Sequence, residues 1–165
     1  MAAPRRVEPG PGQESVWDYP RPPRLEESSS LIEVTLAGMC VARTDRAMRV
    51  LETSHPPTYY LPRDAFAPHS LKPSVGTSYC EYKGHASYFD VIAGDVVVRR
   101  AAWEYPHPTP PYARLVDHVA LYSWAMEACT VDGEVVVSQP GDFYGGWITS
   151  RVVGPFKGDP GTRLW

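Results

Sequence analysis

The chain is poor in cysteine, has no long apolar run, and carries no surplus of either charge. Its three cysteines, Cys40, Cys80 and Cys129, are odd in number and widely spaced. With no C-x-x-C pair, a disulfide framework or cysteine zinc knot is not expected. No apolar run approaches the roughly 18 residues of a spanning helix. No apolar stretch follows Met1-Ala-Ala-Pro-Arg-Arg6, as a signal peptide would require. A soluble protein in the reducing cytoplasm, without a membrane partner, is the expectation. The net charge of −3 and pI near 5.9 make no electrostatic case for nucleic acid. The small arginine groups, Arg43/Arg46/Arg49 and Arg99/Arg100, fall on strand-like segments and read as solvated faces or sheet edges. There is no D-x-D pair, no Walker loop, no G-x-G-x-x-G and no G-x-S-x-G elbow.

Proline and the aromatics are plentiful instead. Of eighteen prolines, fifteen cluster in Pro4–Pro23, Pro56–Pro73 and Pro106–Pro111, where they forbid long helices and keep the backbone extended. Ten tyrosines and five tryptophans accompany them. At 165 residues, 43 % hydrophobic and 21 % charged, the chain suits one domain with a real core.

Residues 1–30 read as a Pro-, Gly- and Ser-rich arm with no apolar period, although Trp17 and Tyr19 call for something to dock on. The body spans residues 31–138. Ile32, Val34 and Leu36 alternate with Glu33 and Thr35, the period of a strand. Met39–Arg43 and Ala47–Glu52 complete a meander. Pro62-Arg63-Asp64 predicts one short helical turn, with Asp64 in its positive first turn. Lys83-Gly84, Gly94-Asp95 and Asp132-Gly133 predict hairpin turns. About nine or ten short strands indicate an all-β class. Either an antiparallel barrel-like body, which would remove sheet edges, or a two-sheet body fits. Residues 139–165 form an aromatic, Gly-rich tail expected to pack on the body or on a partner subunit. A faint internal echo relates Ala37-Gly38 to Ala93-Gly94 and Glu52-x-x-His55-Pro56 to Glu104-x-x-His107-Pro108. Duplication and chance both account for it.

Four stretches carry a family resemblance: Glu52–Asp64, Thr77–Tyr88, Ala102–Pro106 and Val131–Glu134. Together they resemble the family catalogued as domain of unknown function 427, over roughly Leu31 to Ser138. Glu14–Pro23 and Gly145–Gly158 look like the extended bacterial form of that family. Where many relatives have proline, this chain has Glu81, which loosens the backbone beside Cys80. The resemblance implies no settled activity. A nucleotidyltransferase label has been attached to the family, but these residues offer neither paired carboxylates for two metals nor a glycine-lined phosphate site.

The densest chemistry lies in Thr77-Ser-Tyr-Cys-Glu-Tyr-Lys-Gly84. A thiol ionises near neutrality only beside a cation or base, and Lys83 stands across a turn from Cys80. The bland alternative is a buried filler thiol and an exposed lysine. Glu52, Arg63 and Asp64 would add acid–base groups, or else only a cap and an ion pair. Tyr60, Tyr88, Trp103 and Tyr105 would form ligand-binding walls, or simply core. Trp103 and Tyr105 share a strand face, with Glu104 opposite. Metal binding by Glu52-x-x-His55 is disfavoured, because that spacing suits a helix and prolines follow. No metal or cofactor is expected. The favoured reading is a small polar ligand pocket beside Cys80 and Lys83, with catalysis by Cys80, Lys83, Glu52 and Asp64 left open. The alternative is a non-catalytic module that forms homo-oligomers through arm and tail.

Overall fold

A computed structural model describes residues 4–165. Residues 1–3, the start of the stretch read for a signal peptide, lie outside the described residues. The arm contributes β1 (Glu14–Ser15), a 3-10 turn at Val16–Asp18, and β2 (Arg24–Ser28). The meander follows as β3 (Ile32–Leu36), β4 (Met39–Thr44) and β5 (Ala47–Leu51). After β6 (Thr58–Pro62) comes the anticipated 3-10 turn, Arg63–Ala65, with Pro62 as its N-cap. Long strands β7 (Leu71–Cys80), β8 (Gly84–Ala93) and β9 (Val96–Glu104) lead to a 3-10 segment, Pro110–Leu115. Then come β10 (His118–Leu121), a 3-10 turn at Ser123–Ala125, β11 (Ala128–Val131), β12 (Glu134–Val135) and β13 (Val137–Ser138). The tail adds β14 (Trp147–Ile148) and β15 (Val152–Val153). The fold is all-β. Among the described residues four 3-10 segments replace the single helical turn expected, and the strand count rises because pairs as short as two residues join arm and tail to the body.

Seven strands form one sheet in the order β2-β5-β6-β10-β9-β8-β7, all antiparallel. Four form a second, β12-β11-β3-β4. Two small pairs, β1-β15 and β13-β14, complete the set. The sheets stay open, so the two-sheet alternative describes the molecule and the barrel does not. Closure is unnecessary because the edges are blunted in other ways. Edge strand β2 carries Arg24, Glu26 and Glu27, and edge strand β7 carries Lys72, Pro73 and a bulge between Pro73 and Thr77.

The alternation in β3 buries Ile32, Val34 and Leu36 between the two sheets, against Leu61, Val91, Val119 and Leu121. Asp132 and Gly133, at φ 47° and 84°, make the tight turn of the β11–β12 hairpin. Of the Ala-Gly pairs of the internal echo, Ala37-Gly38 is a hairpin turn, while Ala93 ends β8 and the turn there is Gly94-Asp95. The other face of the large sheet holds a second apolar cluster, with Met48, Tyr60, Tyr88, Trp103 and Ala120. The Pro110–Leu115 segment covers part of it through Tyr112 and Leu115. A third cluster joins arm and tail, with Val16 and Tyr19 packed on Leu51 and Val152. Arg49 is not a solvated arginine: it is largely buried and pairs with Glu14 at 2.9 Å and Glu26 at 2.6 Å. All three cysteines are free.

Candidate functional site

β7 and β8 meet at Cys80 and Gly84, with Glu81-Tyr82-Lys83 as the connection. Gly84 sits at φ 108°, a backbone conformation side chains disfavour, and its α-carbon faces the His107 carbonyl. The proline loop grips this turn. The Thr109 amide donates to the Lys83 carbonyl at 3.0 Å, and its hydroxyl donates to the Tyr82 carbonyl. Held this way, Lys83 turns inward and is only 8 % exposed.

It faces a cavity of about 330 Å³ on the outer face of the large sheet. Strand alternation supplies the walls. Ser78 and Cys80 point in from β7, Tyr88 from β8, and Tyr60 from β6. Trp103 lies directly across from Tyr88 in the β8–β9 register, and Tyr105 continues on the same face. Most polar tips are already engaged. The Tyr88 hydroxyl donates to Ser78 Oγ at 2.8 Å, and the Tyr122 hydroxyl donates to the Phe143 carbonyl at 3.0 Å. Trp103 Nε1 donates to the Tyr60 hydroxyl at 3.2 Å.

Among the described residues, no carboxylate comes within 4.0 Å of the Lys83 ammonium, which lies 5.6 Å from the Tyr105 ring centre. Burial pulls Lys83 down, but Tyr60, Cys80 and Glu52 outweigh it and hold the amine above its usual range. Burial pushes the Tyr60 and Tyr105 phenols up, and Tyr122 up to about 12. The cavity therefore holds a buried, charged ammonium among neutral phenols at neutral pH, with Glu52, Glu81 and Lys157 also on its lining.

The mouth is built by a turn. The His55 amide donates to the Glu52 carbonyl at 3.0 Å, which brings His55 Nε2 within 3.6 Å of Glu52 Oε2. Arm and tail pin this turn, since Ser54 donates to the Val16 carbonyl at 3.0 Å and accepts from the Lys157 amide at 2.9 Å. Gln139 orients the imidazole. Its Oε1 accepts from the Gly146 amide at 3.0 Å and its Nε2 donates to the Lys157 carbonyl at 2.8 Å, so the amide can face only one way. Its second N–H then points at His55 Nδ1, 3.0 Å away, which must be an unprotonated acceptor. Burial, with Lys157, Arg21 and Lys83 nearby, pushes His55 down to about 3.

A family model for domain of unknown function 427 matches residues 24–132. The chain belongs to that family. No curated protein matches it. The family segment supplies the hairpin, the aromatic walls and the Glu52–His55 turn. Gln139, Tyr144, Gly145 and Lys157, which close the cavity, lie beyond the match.

Of the candidates named from sequence, Cys80, Lys83, Glu52, Tyr60, Tyr88, Trp103 and Tyr105 all line the cavity. Arg63 and Asp64 do not. Arg63 pairs with Glu104 at 2.8 Å and lies over the Phe89 ring, while Asp64 faces Arg46 at 3.7 Å in a separate groove. The reason is strand geometry. At roughly 3.3 Å per residue, β6 carries the chain well away from the cavity between Tyr60 and Asp64. Glu52 and His55 do meet, through a turn and not a helix. Among the described residues no group of three or more His, Cys, Asp or Glu side chains is placed to hold a metal.

Sequence reasoning missed His55, Gln139, Tyr144, Gly145 and Lys157 as cavity residues. The signal is the Gly145-Gly146 pair of the Gly-rich tail. A Cβ at Gly145 would land on the Trp103 ring, and one at Gly146 would lie 2.6 Å from Gln139 Oε1. Gly145→Ala is therefore expected to displace Trp103 and to cost about 1–3 kcal/mol by overpacking. Near-UV circular dichroism and the melting midpoint would both register it. An unaltered spectrum and midpoint would mean that the ring has room to turn.

Proposed function

We propose that the cavity beside Cys80 and Lys83 is a binding site for a small anion-bearing molecule. The observation that carries this reading is Lys83: a nearly fully buried ammonium, with no ion-pair partner among the described residues, facing an open space. Buried charges are normally paired, and a bound anion would supply the missing partner. Two of the other charged groups at the mouth have partners in the chain. Glu52 takes Arg21 Nε at 3.2 Å, and Lys157 Nζ donates to the Trp165 carbonyl at 3.3 Å. Cys80 places a thiol in the same cavity, and the reading assigns it no reaction.

Calorimetric titration of the full chain with acetate, benzoate and inorganic phosphate tests this. At least one anion should bind, and Lys83→Met should weaken it by about tenfold or more, since hydrogen bonds to charged groups contribute about 1.5–3 kcal/mol. Lys83→Arg, which keeps the charge, and a thermal melt of each variant control for misfolding. If no anion bound, or binding ignored the loss of Lys83, the reading would fall.

The interaction-module reading has less support. Its arm and tail anchors are engaged within the same chain. Trp147 is in the main core, and Trp17 packs on Trp165 with ring centres 5.6 Å apart.

A further inference from the structure

We propose that the molecule held beside Lys83 is a small aromatic monocarboxylate; this rests on the anion-site reading above. Three features of the cavity narrow the class. The first is the number of unmatched charges. Lys83 is the buried one of the two lysines on the cavity lining and has no ion-pair partner among the described residues, while Lys157 at the mouth donates to the Trp165 carbonyl and lies 5.7 Å from the Tyr144 ring centre. One buried ammonium matches one negative charge. A phosphate carries more charge and more acceptor oxygens than one lysine can meet, and it is ordinarily held by several donors or a helix N-terminus.

The second feature is the chemistry of the walls. Sugars and nucleotides carry many hydroxyl and amide groups, each needing a partner when buried. Here the Tyr60, Tyr88 and Tyr122 hydroxyls and the Trp103 indole N–H already have partners within the chain. What these residues offer a ligand is ring surface. The rings stand at angles to one another, Tyr60 at 88° to Trp103 and Trp103 at 45° to Tyr122, with centres 6.3 and 4.7 Å apart. Such tilted rings favour a flat ring whose edge or face can meet them. A cationic ligand, which aromatic walls would otherwise suit, is disfavoured because the protein's own lysine occupies the cavity.

The third feature is size. About 330 Å³ lies near the lower end of ligand pockets, which span roughly 300–1,000 Å³, and suits a single ring with its carboxylate. In this arrangement the carboxylate meets Lys83 Nζ near the hairpin turn. The ring packs against the aromatic wall to which Tyr88, Trp103 and Tyr105 contribute.

The test is calorimetric titration of the full chain with benzoate, cyclohexanecarboxylate, acetate, benzyl alcohol and inorganic phosphate. Benzoate should bind at least about tenfold more tightly than acetate or phosphate, and more tightly than its saturated analogue. Benzyl alcohol, which has the ring without the charge, should not bind measurably. Lys83→Met should weaken benzoate binding by about tenfold or more, while Tyr88→Leu should erode the preference for benzoate over cyclohexanecarboxylate. If acetate or phosphate bound as well as benzoate, and still needed Lys83, the aromatic class would be overturned and the anion site would stand. If cyclohexanecarboxylate matched benzoate, the ring requirement would be overturned in the same way. If benzyl alcohol bound as tightly as benzoate, or if none of the anions required Lys83, the present proposal and the anion site would fall together.

Discussion

Lowering the pH from 6.5 to 5 should remove about 2 kcal/mol of stability, and a single side chain, His55, should account for it. The imidazole is held at about 3 in the folded protein against an ordinary value of 6.5. Burial is the largest cause, followed by the nearby Lys157, Arg21 and Lys83 charges. The geometry agrees, because Gln139 presents an N–H to Nδ1 and a protonated ring would set donor against donor. The sign follows from proton uptake. Below 6.5 the unfolded chain binds a proton that the folded chain refuses, so acid favours unfolding by up to about 1.4 kcal/mol per pH unit. That contribution is intact above 6.5 and falls progressively as the pH drops toward 3. The depressed carboxylates, Glu14, Asp132 and Glu134, lose their contribution as the pH falls from the ordinary carboxylate range downward, so the window from 6.5 to 5 is dominated by the histidine. Urea unfolding at pH 7, 6 and 5 would measure the slope. His55→Gln keeps an acceptor for Gln139 and cannot titrate, so its slope over this window should flatten. Equal slopes in the two proteins would refute the assignment.

Trp147→Ala should cost about 3–5 kcal/mol, a large share of the 5–15 kcal/mol typical of a domain. The side chain is 1 % exposed and packs in the main core, with its ring centre 5.2 Å from that of Tyr59. Its Nε1 donates to the Leu121 carbonyl at 3.3 Å, so truncation removes a hydrogen bond as well as the ring. Trp124, which is 54 % exposed, is the comparison, and Trp124→Ala should cost no more than about 1 kcal/mol. Denaturant midpoints at unchanged slope would separate the two. A Trp147→Ala midpoint close to that of the unsubstituted protein would mean that the tail is an appendage. The expected result makes residues beyond the family match part of the folding unit.

Much of this was legible along the chain, for a local reason. Alternation in Ile32–Leu36 marks a strand because side chains of a strand take opposite faces. Asp132-Gly133 marks a hairpin because both positions need a left-handed backbone. The same alternation put Trp103 and Tyr105 on one face and Glu104 on the other, which is where they lie. The Lys83 hairpin could be located because a turn residue follows the lysine directly.

Other features had no local signature. Nothing in Lys72, Pro73 or the charges of β2 announced that they would blunt open edges and so make a barrel unnecessary. Arg63 and Asp64 look like site residues beside Tyr59 and Tyr60, yet the rise of β6 takes them elsewhere. Glu52 and His55 meet because a turn, pinned by Val16 from the arm and Lys157 from the tail, replaces the helix that their spacing suggested.

The sequence by itself determined an all-β class, the hairpin that carries Cys80 and Lys83, and the family, because each depends on residues close together in the chain. Only the tertiary structure decided that Lys83 turns inward without a carboxylate, that His55 is held neutral, and that residues 139–157 close the cavity. Those outcomes depend on burial and on partners as far as 102 residues away, as between His55 and Lys157, and pairing at that range is settled by how the sheets, arm and tail pack together.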